Sequence, residues 1–151
     1  MPVRDFKSIA IYVDKEDTLY AVPTGENPYY NIDIEIDILN ILKSPYSNDE
    51  IYDLVIKTFD QCYTMIREDI HDPGPLHNYF NVKTYGRAVK GLKYIYVNWS
   101  KDEGYKITPT KRVPREGFIH LEDLEKELGH ALTPDTLSYF LKQAISESST
   151  Y

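Results

Sequence analysis

A chain of 151 residues holds one domain with one core, because domains cluster near that size and a second would be too small to stand alone. A hydrophobic share of 42% and a charged share of 27% exclude disorder as the default state, and the formal net charge of −7 excludes nucleic acid or anionic membrane as partners unless cations gather on one face. The single cysteine, Cys62, excludes an internal disulfide, and no stretch approaches the roughly 18 apolar residues of a membrane helix.

The leading residues Met1-Pro2-Val3-Arg4-Asp5 lack the apolar run of a secretory signal, so a cytoplasmic compartment is expected. Phe6 to Val13 alternates and is rich in β-branched and aromatic residues. It reads as a strand, with Asp14 to Asp17 as its turn and Thr18 to Pro23 as the second arm of a hairpin. Thr24-Gly25-Glu26-Asn27-Pro28 carries turn chemistry. From Asn31 to Ile38 the alternation is strict. On a strand it places Ile32, Ile34, Ile36 and Ile38 on one face and Asp33, Glu35 and Asp37 on the other. Lys43-Ser44-Pro45 closes that element.

Ser47-Asn48-Asp49-Glu50 is a capping box and predicts a helix start. The stripe Ile51, Leu54, Val55, Thr58, Phe59, Cys62, Tyr63 and Ile66 predicts about five turns of amphipathic helix. His71-Asp72-Pro73-Gly74-Pro75 breaks the chain, and Asn81 to Val89 reads as a short helix. Leu92 to Trp99 and Tyr105 to Val113 form a second hairpin around Lys101 to Gly104, with Pro109 pushing the latter strand towards a sheet edge. Leu121 to Leu128 reads as a short helix stopped by Gly129. Thr133-Pro134-Asp135 opens a last helix, with Leu137, Phe140, Leu141, Ala144 and Ile145 on its buried face. Ser146 to Tyr151 is expected to fray. Grouped strands with three or four helices predict a single α+β domain over residues 1–151 with a mostly antiparallel sheet.

The chemistry-bearing residues point away from catalysis. His71, His77, His120 and His130 fall in no metal or triad spacing, and Cys62 lies on an apolar helical stripe, where a thiol is an inert small hydrophobe. The seven glycines are scattered singly, so neither a phosphate loop nor a dinucleotide fingerprint is present. No catalytic residue, metal or cofactor is expected. Fourteen tyrosines against one tryptophan and five phenylalanines favour contact surfaces, since tyrosine combines large area with a polar tip. The Asp33, Glu35, Asp37 row is a candidate docking strip, because adjacent same-face carboxylates repel unless a cation is near. Asp102 and Glu103 in the second hairpin turn, beside Tyr105, form another. Lys106, Lys111, Arg112 and Arg115 read as partners of local carboxylates on so acidic a chain.

The segment Tyr105 to Leu121 (YKITPTKRVPREGFIHL), preceded by Leu92 to Gly104 (LKYIYVNWSKDEG), resembles the immunity proteins of bacterial contact-dependent growth inhibition systems. The shared pattern is a hydrophobic strand, a charged turn, an I-x-P-T stretch and a Gly-aromatic element leading to a C-terminal acidic helix. The resemblance implies a cytoplasmic, non-catalytic protein that neutralises the C-terminal toxin domain of a cognate effector, often a nuclease. Interface residues vary between such pairs, so the resemblance transfers none. From its own residues, the chain is expected to meet a basic toxin domain, neither nucleic acid nor membrane, through Tyr29, Tyr30, Asp33, Glu35, Asp37, Asp102, Glu103 and Tyr105. The alternative is a non-catalytic adaptor with a different basic protein partner.

Overall fold

The computed structural model describes residues 4–69, 71–72 and 74–150. The readings made above on the first three residues, on Pro73 and on Tyr151 lie outside them. Eight strands form one curled antiparallel sheet: β1 (Phe6–Val13), β2 (Leu19–Asn27), β3 (Ile32–Glu35), β4 (Asn40–Leu42), β5 (Lys93–Ser100), β6 (Gly104–Val113), β7 (Gly117–His120) and β8 (Lys126–Gly129). Four helices accompany them: α1 (Asn48–Gln61), α2 (Pro75–Phe80), α3 (Tyr85–Ala88) and α4 (Pro134–Glu147). The fold is the single α+β domain that the grouped strands imply. Among the described residues no helix is long and apolar enough to cross a membrane.

The spatial order is β3-β2-β1-β5-β6-β7, with β4 also on β2 and β8 also on β6. Alternation along β1 sends Ile9, Ile11 and Val13 to one face and Ala10 and Tyr12 to the other, and each face has its own core. α1 and α4 cover the first through Ile51, Val55, Phe59, Leu137 and Leu141. The second is covered more thinly by Leu76 of α2, Ala88 of α3 and the adjoining Val89 and Leu92. This asymmetry leaves room on the second face for a cleft.

Two prolines shape the sheet edges. Pro23 in β2 and Pro109 in β6 each stand one strand in from an edge, where the outer neighbour is split into two short pieces. A strand residue aims its N–H and C=O at the same neighbour, and each proline carbonyl accepts from the outer chain: Ile36 N–H on Pro23 at 3.1 Å, Leu121 N–H on Pro109 at 2.9 Å. The missing N–H therefore faces the split, and the outer chain bulges where no donor exists to hold it. Pro109 thus marks a broken outer neighbour, not an edge position for β6 itself. Edge strands of three or four residues also offer little template for a foreign strand.

Several local expectations change for tertiary reasons. Thr24 to Asn27 continues β2 in place of a turn, because β3 pairs with it and Gly25 lets the chain pass close to Ile36 and Met65. The segment Asn31 to Ile38 does not run as one strand: it stops at Glu35, Ile36 is fully buried, and Asp37 sits in an exposed bend before β4. α1 keeps its capping box but ends at Gln61, since Tyr63 adopts φ +61° and donates its N–H to Thr24 O, drawing the chain to β2. Ile66 consequently leaves the stripe and is exposed. Pro75 begins α2 at its first turn, and the expected Asn81–Val89 helix is reduced to α3. Leu121 to Leu128 is a 3₁₀ turn (Glu122–Leu124) followed by β8, because β6 supplies an unpaired edge. The end of the chain does not fray through Ser149: the buried Ser148 Oγ accepts the Thr110 N–H at 3.1 Å, and Ser149 exchanges backbone bonds with Thr110 and Arg112.

Candidate functional site

Antiparallel register brings two distant turns to one end of the sheet. Phe6 pairs with Ser100, and Ile9 pairs with Pro23, beyond which the Tyr63–Arg67 segment bonds to β2, so the β2–β3 turn and the β5–β6 turn both stand at the same end of the sheet as the start of β1. Tyr29 and Tyr30 stand on the first turn, with Asp33 at the start of β3 after it, and Asp102 and Glu103 on the second, all exposed, as is Phe6 at the start of β1.

The first turn is held from below by Asn27, whose side chain has no exposed surface. Its carbonyl oxygen accepts the N–H groups of Tyr29 at 3.0 Å and Tyr30 at 2.9 Å. Its amide donates to the carbonyls of Arg67 at 2.8 Å and Glu68 at 3.1 Å. One side chain therefore locks the hairpin turn to the loop after α1, a lock reinforced by Arg67 N–H on Glu26 O at 3.1 Å. The result is a rigid apolar tip: Tyr29 is 72% and Tyr30 59% exposed, joined by exposed Ile32, Met65 and Ile66. Carboxylates surround it. Tyr63 lies beside Asp33, and its hydroxyl is pushed up to about 12 by burial first and by Asp33 second. Arg4 stacks 4.2 Å over the Tyr63 ring and pairs with Glu26 at 3.0 Å.

The other expected contact residues sit elsewhere. Asp37 is exposed in the β3–β4 bend, away from the tip. Tyr105 is half-buried, its ring edge-on to Phe59 at 5.4 Å in the α1 core. Glu35 turns inward: both carboxylate oxygens take the Tyr12 hydroxyl, at 2.8 and 3.0 Å. The carboxylates of Asp33, Glu35 and Asp37 thus form no continuous strip.

Glu35 instead forms the floor of a cleft on the thinly covered face. Tyr12 is 2.6 Å from the Tyr85 hydroxyl, and with the carboxylate ionised its one proton goes to Glu35, which leaves Tyr85 as donor to Tyr12. Tyr94 and Phe118 pack on Tyr12 with ring centroids 5.2 and 6.2 Å away. Burial raises the Glu35 carboxyl above its ordinary range, a push only partly offset by the Tyr12 hydrogen bond and Arg67. Burial, with Glu35 next, also raises the hydroxyls of Tyr12, Tyr85 and Tyr94. Nothing in the local sequence marks this cluster, because its members come from β1, β3, α3, β5 and β7. The tip was half legible: its tyrosines stand out in the sequence, but Ile32, Met65 and Ile66 look like core residues there.

Among the described residues no group of three or more His, Cys, Asp or Glu side chains could hold a metal ion. Cys62 is buried, its thiol raised chiefly by burial, and it donates to Ser8 O at 3.3 Å. His120 stacks on Tyr96 at 4.9 Å, and His77 lies against Gly74 O and Asp72.

The chain shares its fold with a Neisseria meningitidis protein of unknown function. The two are 14% identical, the match covers 98% of this chain and 99% of that one, and the TM-score is 0.71. No protein-family model matches the chain, and no curated protein does.

Proposed function

We propose that this protein is a stoichiometric inhibitor of a basic partner protein, acting as an immunity protein towards the C-terminal toxin domain, a nuclease, of a contact-dependent growth inhibition effector. The observation that carries the reading is the Asn27-locked tip, where Tyr29 and Tyr30 project from a rigid backbone among carboxylates. Tyrosines on a preorganised backbone are the residues that dominate tight interfaces, since little ordering entropy remains to be lost on binding. The net charge of −7 supplies attraction for a cationic nuclease groove, and Asp102 extends the negative potential across the same end of the sheet, beside Glu103, which is paired with Lys106. The resemblance over Tyr105 to Leu121 adds the toxin class; the fold likeness, to a protein of unknown function, adds no activity.

The test is co-expression with the product of the gene beside this one, followed by titration of the purified pair. A 1:1 complex is expected, with each of Tyr29→Ala and Tyr30→Ala weakening it by about 2 kcal/mol or more, roughly thirtyfold in Kd. Charge reversal at Asp102 and Glu103 is expected to slow association and flatten its salt dependence. A complex indifferent to all four substitutions would remove the tip from the interface. No complex with the neighbouring product, alongside a tight one with another basic protein, would replace the toxin reading by the adaptor one.

A further inference from the structure

A pocket at the far end of β1 from the tyrosine tip gathers cations on a chain of net charge −7. Its origin lies in a stretch without acids: from Gly74 to Lys101 there is no Asp or Glu, while Lys83, Arg87, Lys90, Lys93 and Lys101 all fall there. The end of α3 and the residues after it bring Arg87 and Lys90 to the β1–β2 turn, and Lys15 of that turn joins them around a cavity of about 520 Å³. It shares no lining residue with the Glu35 cleft.

One carboxylate, Asp14, accompanies the three cations in the lining. Its oxygens are taken up within its own hairpin: Oδ1 accepts the Glu16 and Thr18 N–H groups, each at 2.9 Å, and Oδ2 accepts the Tyr20 hydroxyl at 2.9 Å. Glu16 and Asp17, the other acids of the turn, do not line the cavity, and Asp17 borders a different pocket beside Tyr46 and Lys142. Among the described residues Lys15, Arg87 and Lys90 form no salt bridge, and their side chains make no hydrogen bond. An excess of positive charge therefore remains at the cavity.

The same cavity is lined by Phe80, Ala88 and Leu92. Ala88 and Leu92 are each 4% exposed and belong to the second core, and Phe80 packs on the Tyr20 ring at 5.4 Å, so this apolar wall is fixed. The cavity lies in the span of small-molecule sites, about 300–1,000 Å³. Guanidinium and ammonium donors suit an oxyanion, and an apolar wall beside them suits an aliphatic body.

We propose that this pocket binds a small amphiphilic anion, a carboxylate or phosphate carried on a short aliphatic chain. The oxyanion meets Lys15, Arg87 and Lys90, and the chain lies on Phe80, Ala88 and Leu92. The site is separate from the tyrosine tip and stands or falls independently of it.

Calorimetric titration of the intact chain tests this with hexanoate, hexyl phosphate, acetate, inorganic phosphate and the cation hexylamine, each to about 10 mM. Saturable binding of hexanoate or hexyl phosphate is expected, and which of the two binds more tightly tells a carboxylate from a phosphate ligand. Acetate and inorganic phosphate are expected to bind at least about tenfold more weakly than their hexyl counterparts, a factor that burying about two methylenes supplies. Amide shifts on binding should centre on Lys15, Lys90 and Gly91. Arg87 and Lys90 are exposed, so Arg87→Glu with Lys90→Glu retains the fold, checked by an unchanged urea midpoint, and weakens binding by at least about tenfold. Lys15→Glu, on a different element, is expected to weaken it by at least about threefold. The inference is overturned if neither hexyl anion saturates, if the charge-reversed proteins bind undiminished, or if acetate or inorganic phosphate matches its hexyl counterpart. Hexylamine binding as tight as that of the anions, or amide shifts centred on the tyrosine tip, would equally overturn it.

Discussion

Replacing Asn27 by alanine isolates the lock beneath the tyrosine tip. The side chain is wholly buried and makes four hydrogen bonds of 2.8–3.1 Å, two accepted from Tyr29 and Tyr30 N–H and two donated to Arg67 and Glu68 carbonyls. A net contribution of about 1 kcal/mol per bond gives a loss of about 4 kcal/mol if no group finds a new partner. Tyr29, Tyr30 and Glu68 are exposed residues, so water re-satisfies part of the backbone and lowers the expectation to about 2–3 kcal/mol. With a urea slope of about 2 kcal/mol/M, that moves the unfolding midpoint down by about 1–1.5 M. Amide exchange should accelerate at Tyr29, Tyr30 and Arg67 while the β1–β5 ladder stays protected up to the new global stability. A midpoint within about 0.3 M of the parent, with unchanged exchange at those three amides, would refute the idea that Asn27 preorganises the tip.

Three further perturbations probe other parts of the argument. Gly25→Ala would drive a Cβ into the Ile36 side chain and to 2.8 Å from Met65 O, and urea unfolding should show a loss of about 1–3 kcal/mol with the β2–β3 pairing disturbed. Ser148→Ala leaves the Thr110 N–H without its 3.1 Å acceptor, so a loss of about 1–3 kcal/mol and faster exchange at Thr110 and Ser149 are expected, whereas a fraying terminus would show neither. Because burial raises the Glu35 carboxyl in the folded chain, its contribution to stability is complete below the ordinary value of 4.5 and is lost as pH rises through the folded value. Glu35→Gln should therefore gain stability relative to the parent across that rising window and hold a constant advantage above it; parallel stability–pH curves would contradict this.

The tip and the cleft divide the outer end and second face of one sheet between them. Asp33 and Glu35 lie two residues apart on β3, so they share a face, yet Asp33 is exposed at the hairpin end while Glu35 meets Tyr12 beneath α3. The difference follows from where the helical cover begins: α2 and α3 reach Tyr12 and Tyr20, while the first two residues of β3, Ile32 and Asp33, stay exposed. A strand of uniform pattern thus delivers one carboxylate to solvent and the next to a low-dielectric site.

Local physics was enough for the elements whose cause is local. The strand β1, the Ser47 capping box, the Thr133-Pro134 helix start and the two hairpins about Asp14–Asp17 and Lys101–Glu103 are legible because alternation, caps and turn residues act within a few positions. The grouping of strands and helices likewise predicts the α+β class. What the sequence could not show were outcomes decided by a partner strand or a distant side chain. The split of Asn31–Ile38, the conversion of Leu121–Leu128 into an edge strand and the docking of Ser148 all answer to Pro23, Pro109, β6 and Thr110. The same holds for the two sites: strand register alone places Tyr29 and Asp102 at one end, and only packing from five separate elements turns Glu35 from an expected surface acid into the floor of a cleft. Side-chain period specifies which face a residue takes; which faces are covered, and by what, is set by contacts between segments far apart in the chain.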